Sequence, residues 1–87
     1  MDLGISGKTA LVSASSAGLG YASALALAEA GCKTVISGRN EERLMHAASK
    51  IPNSIPVIAD VSTVKGSQAL VQDAKSQLGT NIDILIT

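Results

Sequence analysis

The amino-acid sequence predicts an α/β fold, a parallel sheet with helices on both of its faces. Short apolar, β-branched runs alternate with longer helical segments in the order strand, helix, strand, helix, strand, helix, strand. Such alternation is the pattern of parallel strands joined by right-handed crossovers. The apolar residues are mostly Ala, Val, Ile and Leu, with Tyr21 the single aromatic, a composition suited to buried strands with helices packed close against them. Between the first strand and the first helix stands a turn of small residues, Ser13-Ala14-Ser15-Ser16-Ala17-Gly18-Leu19-Gly20.

Each element follows from local chemistry. Residues 9–13 are too short and too uniformly apolar for a helix and read as a buried strand. Residues 19–30 read as a helix packed on most sides and stopped by Gly31 as a C-cap. The β-branched run 33–37 is a second strand. Asn40 can cap the next helix, with Glu41 and Glu42 in the first turn where the helix dipole favours acid. Leu44, Ala47, Ala48 and Ile51 form its buried stripe, and Pro52 ends it. Residues 55–59 make a third strand with Pro56 near its start, where a missing N–H is tolerated. Ser62 or Thr63 can cap a third helix reaching Leu78, with Val64, Val71, Ala74 and Leu78 on its apolar side, Gly66 weakening its first turns and Gly79 closing it. Residues 82–86 begin a fourth strand.

Size and charge exclude several function classes. A chain of 87 residues makes one small domain at most, and one of this length buries only about 60% of the surface its unfolded form exposes. Seven basic and seven acidic side chains balance, so there is no basic face for nucleic acid, and aromatic stacking platforms are missing. Cys32 is the only cysteine, which excludes a disulfide framework and a thiolate metal cluster and reads as a small, partly buried residue beside the sheet. The apolar stretch 22–30 is interrupted by Ser23 and Glu29 and falls far short of the ~20 residues a membrane span needs. With no leader-like segment after Met1, the expectation is a soluble, cytoplasmic protein without metal.

Three features carry chemistry, each at the carboxyl end of a strand. A tight turn between strand and helix aims unpaired backbone N–H groups and the positive end of a helix dipole at an anion, as in pyrophosphate binding by dinucleotide folds. The same small residues could serve helix–strand packing with no ligand. A fold that prefers NAD places an acid about 20 positions after the turn to hold the ribose hydroxyls. Here that region is Ser37-Gly38-Arg39: glycine leaves room, and the guanidinium fork of Arg39 suits a phosphate, unless it pairs with Glu41 or Glu42. Asp60-Val61 follows the third strand, where a carboxylate can accept a hydrogen bond from an adenine amino group or cap the helix starting near Ser62.

Two other features carry nothing. Gly7-Lys8-Thr9 resembles the end of a P-loop, but the loop's first glycine would fall at Asp2, and the segment precedes its strand. His46 lies off the buried stripe of its helix and has no second ligand at i+4, which makes it a solvated surface histidine.

Together these residues resemble the N-terminal half of the short-chain dehydrogenase/reductase family, over nearly the whole chain. The family's turn reads Thr-Gly-x-x-x-Gly-x-Gly; Ser13, Ala14, Gly18 and Gly20 stand at its fixed places, Ser13 keeping a hydroxyl and Ala14 departing from glycine. The opening Leu3-Gly4-Ile5-Ser6-Gly7-Lys8-Thr9, the segment Ser37-Gly38-Arg39-Asn40-Glu41-Glu42-Arg43-Leu44, Asp60-Val61 and the fourth strand also look like that family. The resemblance implies a Rossmann-type sheet truncated after its fourth strand, residues 1–87 being the N-terminal part of one dinucleotide-binding domain. It implies that Ser13 belongs to the cofactor site, that Ser15, Ser16, Gly18, Leu19 and Gly20 line the cofactor's phosphates, Gly38 and Arg39 its 2′-phosphate, and Asp60 and Val61 its adenine. Several NADP-dependent relatives carry a basic residue where Ala17 stands, so Arg39 alone carries the preference for NADP(H) over NAD(H).

The family's Asn-Asn-Ala-Gly segment, catalytic Ser and Tyr-x-x-x-Lys pair follow the fourth strand and none lies in residues 1–87; Tyr21 has Leu25, not Lys, four positions on. The resemblance therefore assigns the chemistry to the full-length parent, a hydride transfer between a nicotinamide and a small-molecule carbonyl or alcohol. It points to an oxoacyl-carrier-protein reductase-like, homo-oligomeric enzyme with no nucleic-acid or membrane partner. The alternatives are a non-catalytic dinucleotide-binding module and a methyltransferase; the latter wants an acid where Gly38-Arg39 stands.

Overall fold

The computed structural model describes residues 7–13, 18–79 and 81–86. Its elements alternate as β1 (Thr9–Val12), α1 (Gly18–Glu29), β2 (Lys33–Gly38), α2 (Glu41–Lys50), β3 (Ser54–Ile58), α3 (Val64–Leu78) and β4 (Ile84–Ile86). The strands form one sheet in the order β3-β2-β1-β4, and every pairing is parallel. The expected α/β sheet is therefore present, with strand order reversing at β1.

That reversal decides where the helices lie. Stepping from β1 to β2 to β3 in one direction places α1 and α2 on one face; returning from β3 past β1 to β4 with the same crossover hand places α3 on the other. Alternating side chains of the two inner strands fill the two layers separately. Val12 and Ile36 pack with Ala24 and Ala28 of α1 and with Leu44, Ala47 and Ile51 at α2. Leu11 and Val35 point the opposite way, onto Leu70, Ala74 and Leu78 of α3. Each fully buried Leu, Ile or Val contributes on the order of 1.5–3 kcal/mol, so β1 and β2 anchor both layers.

The helix ends follow their sequence signals. After α1, Gly31 adopts φ 97°, its N–H donating to the Ala28 carbonyl and that of Cys32 to the Leu27 carbonyl. This paired closure is the Schellman motif, which needs a residue at ease in the left-handed region. Cys32 then turns inward and is buried. The Asn40 side chain accepts from the Arg43 N–H at the start of α2, and Ile51, extended before Pro52, ends it. Thr63, rather than Ser62, caps α3, accepting from the Gly66 N–H, and Gly79 closes it at φ 70°.

Several details differ from the sequence expectation. Helix α1 is apolar around its circumference, yet it buries only Ala24 and Ala28 fully and leaves Ala22 and Ala26 exposed. Alanine there supplies helix propensity without requiring burial. On α3 the inward stripe includes Leu70, whereas Val64 is 76% exposed at the first turn. Strand β3 starts one residue early, because Ser54 Oγ donates to the Ala48 and Ile51 carbonyls and draws the chain straight out of α2. No helix among the described residues is long and apolar enough to cross a membrane.

Strand β4 is shorter than expected because Asp83 is used differently. Its carboxylate accepts from the Thr9 N–H at 3.0 Å and from Thr9 Oγ1 at 3.1 Å, and its own N–H donates to the Thr9 carbonyl. Thr9 Oγ1 also lies 2.6 Å from the Asn81 carbonyl oxygen. The start of β1 is thus clamped to the approach of β4. The bonds from the Thr9 backbone and hydroxyl hold the Asp83 carboxyl below the usual carboxylate range, with a smaller attraction from Lys8 and desolvation opposing. A carboxyl lowered on folding contributes stability above its unfolded pKa, about 3.9, that disappears as pH falls through the folded value. In the intact protein Asp83→Ala is expected to lower the urea midpoint at pH 7 and to flatten its decline below about pH 4; an unchanged acid limb would show that the clamp does not couple to folding.

Candidate functional site

All four strands are parallel, so their carboxyl ends open on one edge of the sheet, where open α/β folds place their ligands. The Ala59 N–H donates to the Gly38 carbonyl at 3.1 Å, carrying the β2–β3 pairing one step past the last strand residue. In that register Arg39 stands opposite Ala59, which brings it near Asp60, the next residue along. Around them lies a cleft of about 650 Å³ lined by Gly38, Arg39, Asn40, Arg43, Ala59, Asp60, Val61 and Ser62, within the size range of small-molecule sites.

Four of the residues expected from sequence, Gly38, Arg39, Asp60 and Val61, are therefore brought together. Ser13, Gly18, Leu19 and Gly20 stand at the end of β1 and the first turn of α1, outside that lining. Ser15 and Ser16 fall outside the described residues. The Ser13 N–H donates to the Ile86 carbonyl at 3.0 Å, and its hydroxyl approaches the same oxygen at 3.4 Å, so this residue extends the β1–β4 ladder. Gly18 has φ 64° with open space where a Cβ would be, so the left-handed backbone, rather than crowding, calls for glycine. Leu19 is 87% exposed beside it.

The two open readings of Asp60 and Arg39 resolve into geometry. Asp60 Oδ1 accepts from the Ser62 N–H at 3.0 Å and from Ser62 Oγ at 2.6 Å. Asp60 thus shapes the turn into α3 without being its N-cap. The Ser62 hydroxyl, the Ser62 N–H and the nearby Arg39 charge together hold the carboxyl below its ordinary range against a smaller desolvation effect, so it stays ionised at neutral pH. Arg39 forms no ion pair with Glu41, Glu42 or any other described residue, leaving its guanidinium open to the cleft. Its fork can meet a phosphate with two parallel hydrogen bonds.

Sequence reading missed four contributors. Asn40 and Ser62 line the cleft as well as serving the helix starts, and Arg43 joins them. Residues three apart share a helix face, so the Asn40 cap was itself a signal for Arg43. Gly66 is the least legible. A Cβ there would overlap the Asp60 carbonyl oxygen and lie 2.9 Å from Thr63 Oγ1; the residue lets the first turn of α3 press against the Asp60 backbone. The Ser67 hydroxyl adds a 3.3 Å bond to the Val61 carbonyl. His46 is exposed on α2, in a neighbouring groove with Asn40, Glu42 and Arg43.

Comparison with known proteins identifies this arrangement. The family model described as short chain dehydrogenase matches residues 8–87. The chain belongs to the short-chain dehydrogenase family. Among its curated members, an uncharacterized oxidoreductase of Bacillus subtilis is 36% identical over 78 residues, covering 83% of this chain and 30% of that protein. L-sorbose reductase from Gluconobacter frateurii, solved in complex with NADPH and L-sorbose, superimposes with a TM-score of 0.89 at 38% identity, covering 98% of this chain and 34% of that one. A 3-ketoacyl-(acyl-carrier-protein) reductase from Brucella melitensis, complexed with NADH, gives a TM-score of 0.84 at 33% identity over 93% of this chain and 33% of that one. The chain thus spans about a third of the length of these short-chain dehydrogenases.

Gly66 provides a test in which two effects oppose. Helix propensity alone would have Gly66→Ala stabilise by about 1 kcal/mol. Overlap with a backbone carbonyl, which has no rotamer to yield, costs typically 1–3 kcal/mol. Urea denaturation of the intact protein is expected to show net destabilisation; a stabilised variant would mean that α3 does not rest on Asp60.

Proposed function

We propose that this chain is the NADP(H)-binding portion of an oxidoreductase, the N-terminal part of a single dinucleotide-binding domain. The observation that carries this reading is the unpaired Arg39 guanidinium opening onto one cleft with Gly38, Asp60 and Val61. A nicotinamide dinucleotide, when bound, supplies the hydride exchanged with a substrate carbon.

The residues present fit such a group. Gly18, Leu19 and Gly20, with Ser13, Ser15 and Ser16, receive the diphosphate at the start of α1, where backbone N–H groups and the helix dipole favour an anion. Arg39 binds the 2′-phosphate beside Gly38. Asp60 Oδ1 is engaged with Ser62, which fixes the carboxylate while Oδ2 accepts from the adenine amino group, and Val61 flanks the ring.

Solved relatives include a reductase complexed with NADPH and another complexed with NADH, so the preference of this chain rests on its own Arg39. The Brucella enzyme supports an oxoacyl-carrier-protein reductase-like parent, and the Gluconobacter enzyme supports a reductase of ketoses. Both are small-molecule carbonyl chemistry. The parent is proposed to be a cytoplasmic homo-oligomer without nucleic-acid or membrane partners, in keeping with balanced charge and the absence of a membrane-spanning helix among the described residues.

Titration of the intact protein with NADPH and NADH tests the reading. Wild type is expected to bind NADPH more tightly, and Arg39→Asp to weaken NADPH by roughly ten- to a hundredfold while sparing NADH, as for loss of a charged hydrogen bond. Equal affinities in wild type, or no loss in the variant, would overturn it.

A further inference from the structure

We propose that Arg43 is a second guanidinium of the 2′-phosphate pocket and a determinant of cofactor specificity beside Arg39. The inference rests on the reading of the cleft as an adenosine site. Arg43 lines that cleft together with Gly38, Arg39 and Asp60. It is the third residue of α2, and the bond from its N–H to Asn40 Oδ1 fixes its backbone. Arg39 immediately precedes the cap and Arg43 follows it by three residues, so both cations stand at one helix start.

Charge balance gives the pair its meaning. Neither guanidinium forms an ion pair among the described residues, although Glu41 and Glu42 occupy the same turn. Asp60 is the one carboxylate in the cleft lining, so the two guanidiniums leave the cleft with an excess of positive charge that an anion would offset. A phosphate monoester, with about −1.5 to −2 charges at neutral pH, satisfies both; a ribose hydroxyl satisfies neither. Arg39 also acts on the Asp60 carboxylate, so its attraction is shared between protein and ligand. No such claim on Arg43 comes from across the cleft. Arg43 does border a second groove with Glu42 and His46, and a side chain held there would leave the pocket to Arg39.

Binding of adenosine 2′,5′-bisphosphate and of 5′-AMP, which differ by the 2′-phosphate alone, separates these outcomes in the intact protein. Arg43→Gln is expected to weaken the bisphosphate about three- to tenfold, the smaller range reflecting solvent exposure, and to leave 5′-AMP and the melting temperature unchanged. Arg43→Lys keeps the charge and is expected to retain part of the affinity. Equal weakening of both nucleotides, or no effect on the bisphosphate while Arg39→Gln abolishes the preference, overturns the role of Arg43 and leaves the cofactor reading intact. A wild-type protein that does not distinguish the two nucleotides overturns both.

Discussion

Strands β1 and β2 are buried on both faces, and the rest of the structure depends on that constraint. A strand with Leu11 and Val12, or Val35 and Ile36, on opposite sides needs a helical layer above and another below. Crossovers of one hand cover both faces only when the chain changes direction, which it does at β1. The same reversal opens a crevice at the carboxyl ends of the strands. The cleft lies next to that crevice, at the ends of β2 and β3, and the Asp83–Thr9 clamp secures the strand pair at which the reversal occurs.

The cleft beside it is assembled from chain ends that also perform structural tasks. Asn40 caps α2, Asp60 and Ser62 bind each other to form the entry to α3, and Gly66 admits that helix against the Asp60 carbonyl. The local hydrogen-bond needs of two helix starts are met by side chains, which leaves cationic groups free at the rim. Arg39, near the Asp60 carboxylate but in no ion pair with another described residue, is the product of that arrangement. In a partly exposed site, freedom from internal partners matters more than raw charge, because an exposed ion pair would contribute within about 0–1 kcal/mol and compete directly with a ligand.

Much of this was legible in the residues. Gly31 and Gly79 close their helices in the left-handed backbone, Asn40 caps α2 through its side chain, and Pro52 follows the extended Ile51 that ends α2, each as expected. Of the Leu44, Ala47, Ala48 and Ile51 stripe, Ala48 is partly buried and the other three are buried where their spacing put them. Gly38, Arg39, Asp60 and Val61 meet because parallel pairing brings successive strand ends together. Long-range placement was less readable. Asp83 looks like an interruption of a β-run until Thr9, distant in sequence, supplies its donors. Val64 is exposed and Leu70 buried because the inward face of α3 is set by how the helix lies on the sheet, and periodicity along one helix does not fix that. Gly66 reads as a weak helix residue until the Asp60 carbonyl is placed beside it.

The central claim is that the carboxyl ends of β2 and β3 hold the adenosine half of a nicotinamide dinucleotide. A crystal structure of the intact protein with NADP tests it most directly. The account predicts the adenine against Asp60 and Val61, with the 2′-phosphate within hydrogen-bonding distance of Arg39. Adenine seated elsewhere, or Arg39 turned onto Glu41 or Glu42 with the phosphate in solvent, would contradict it.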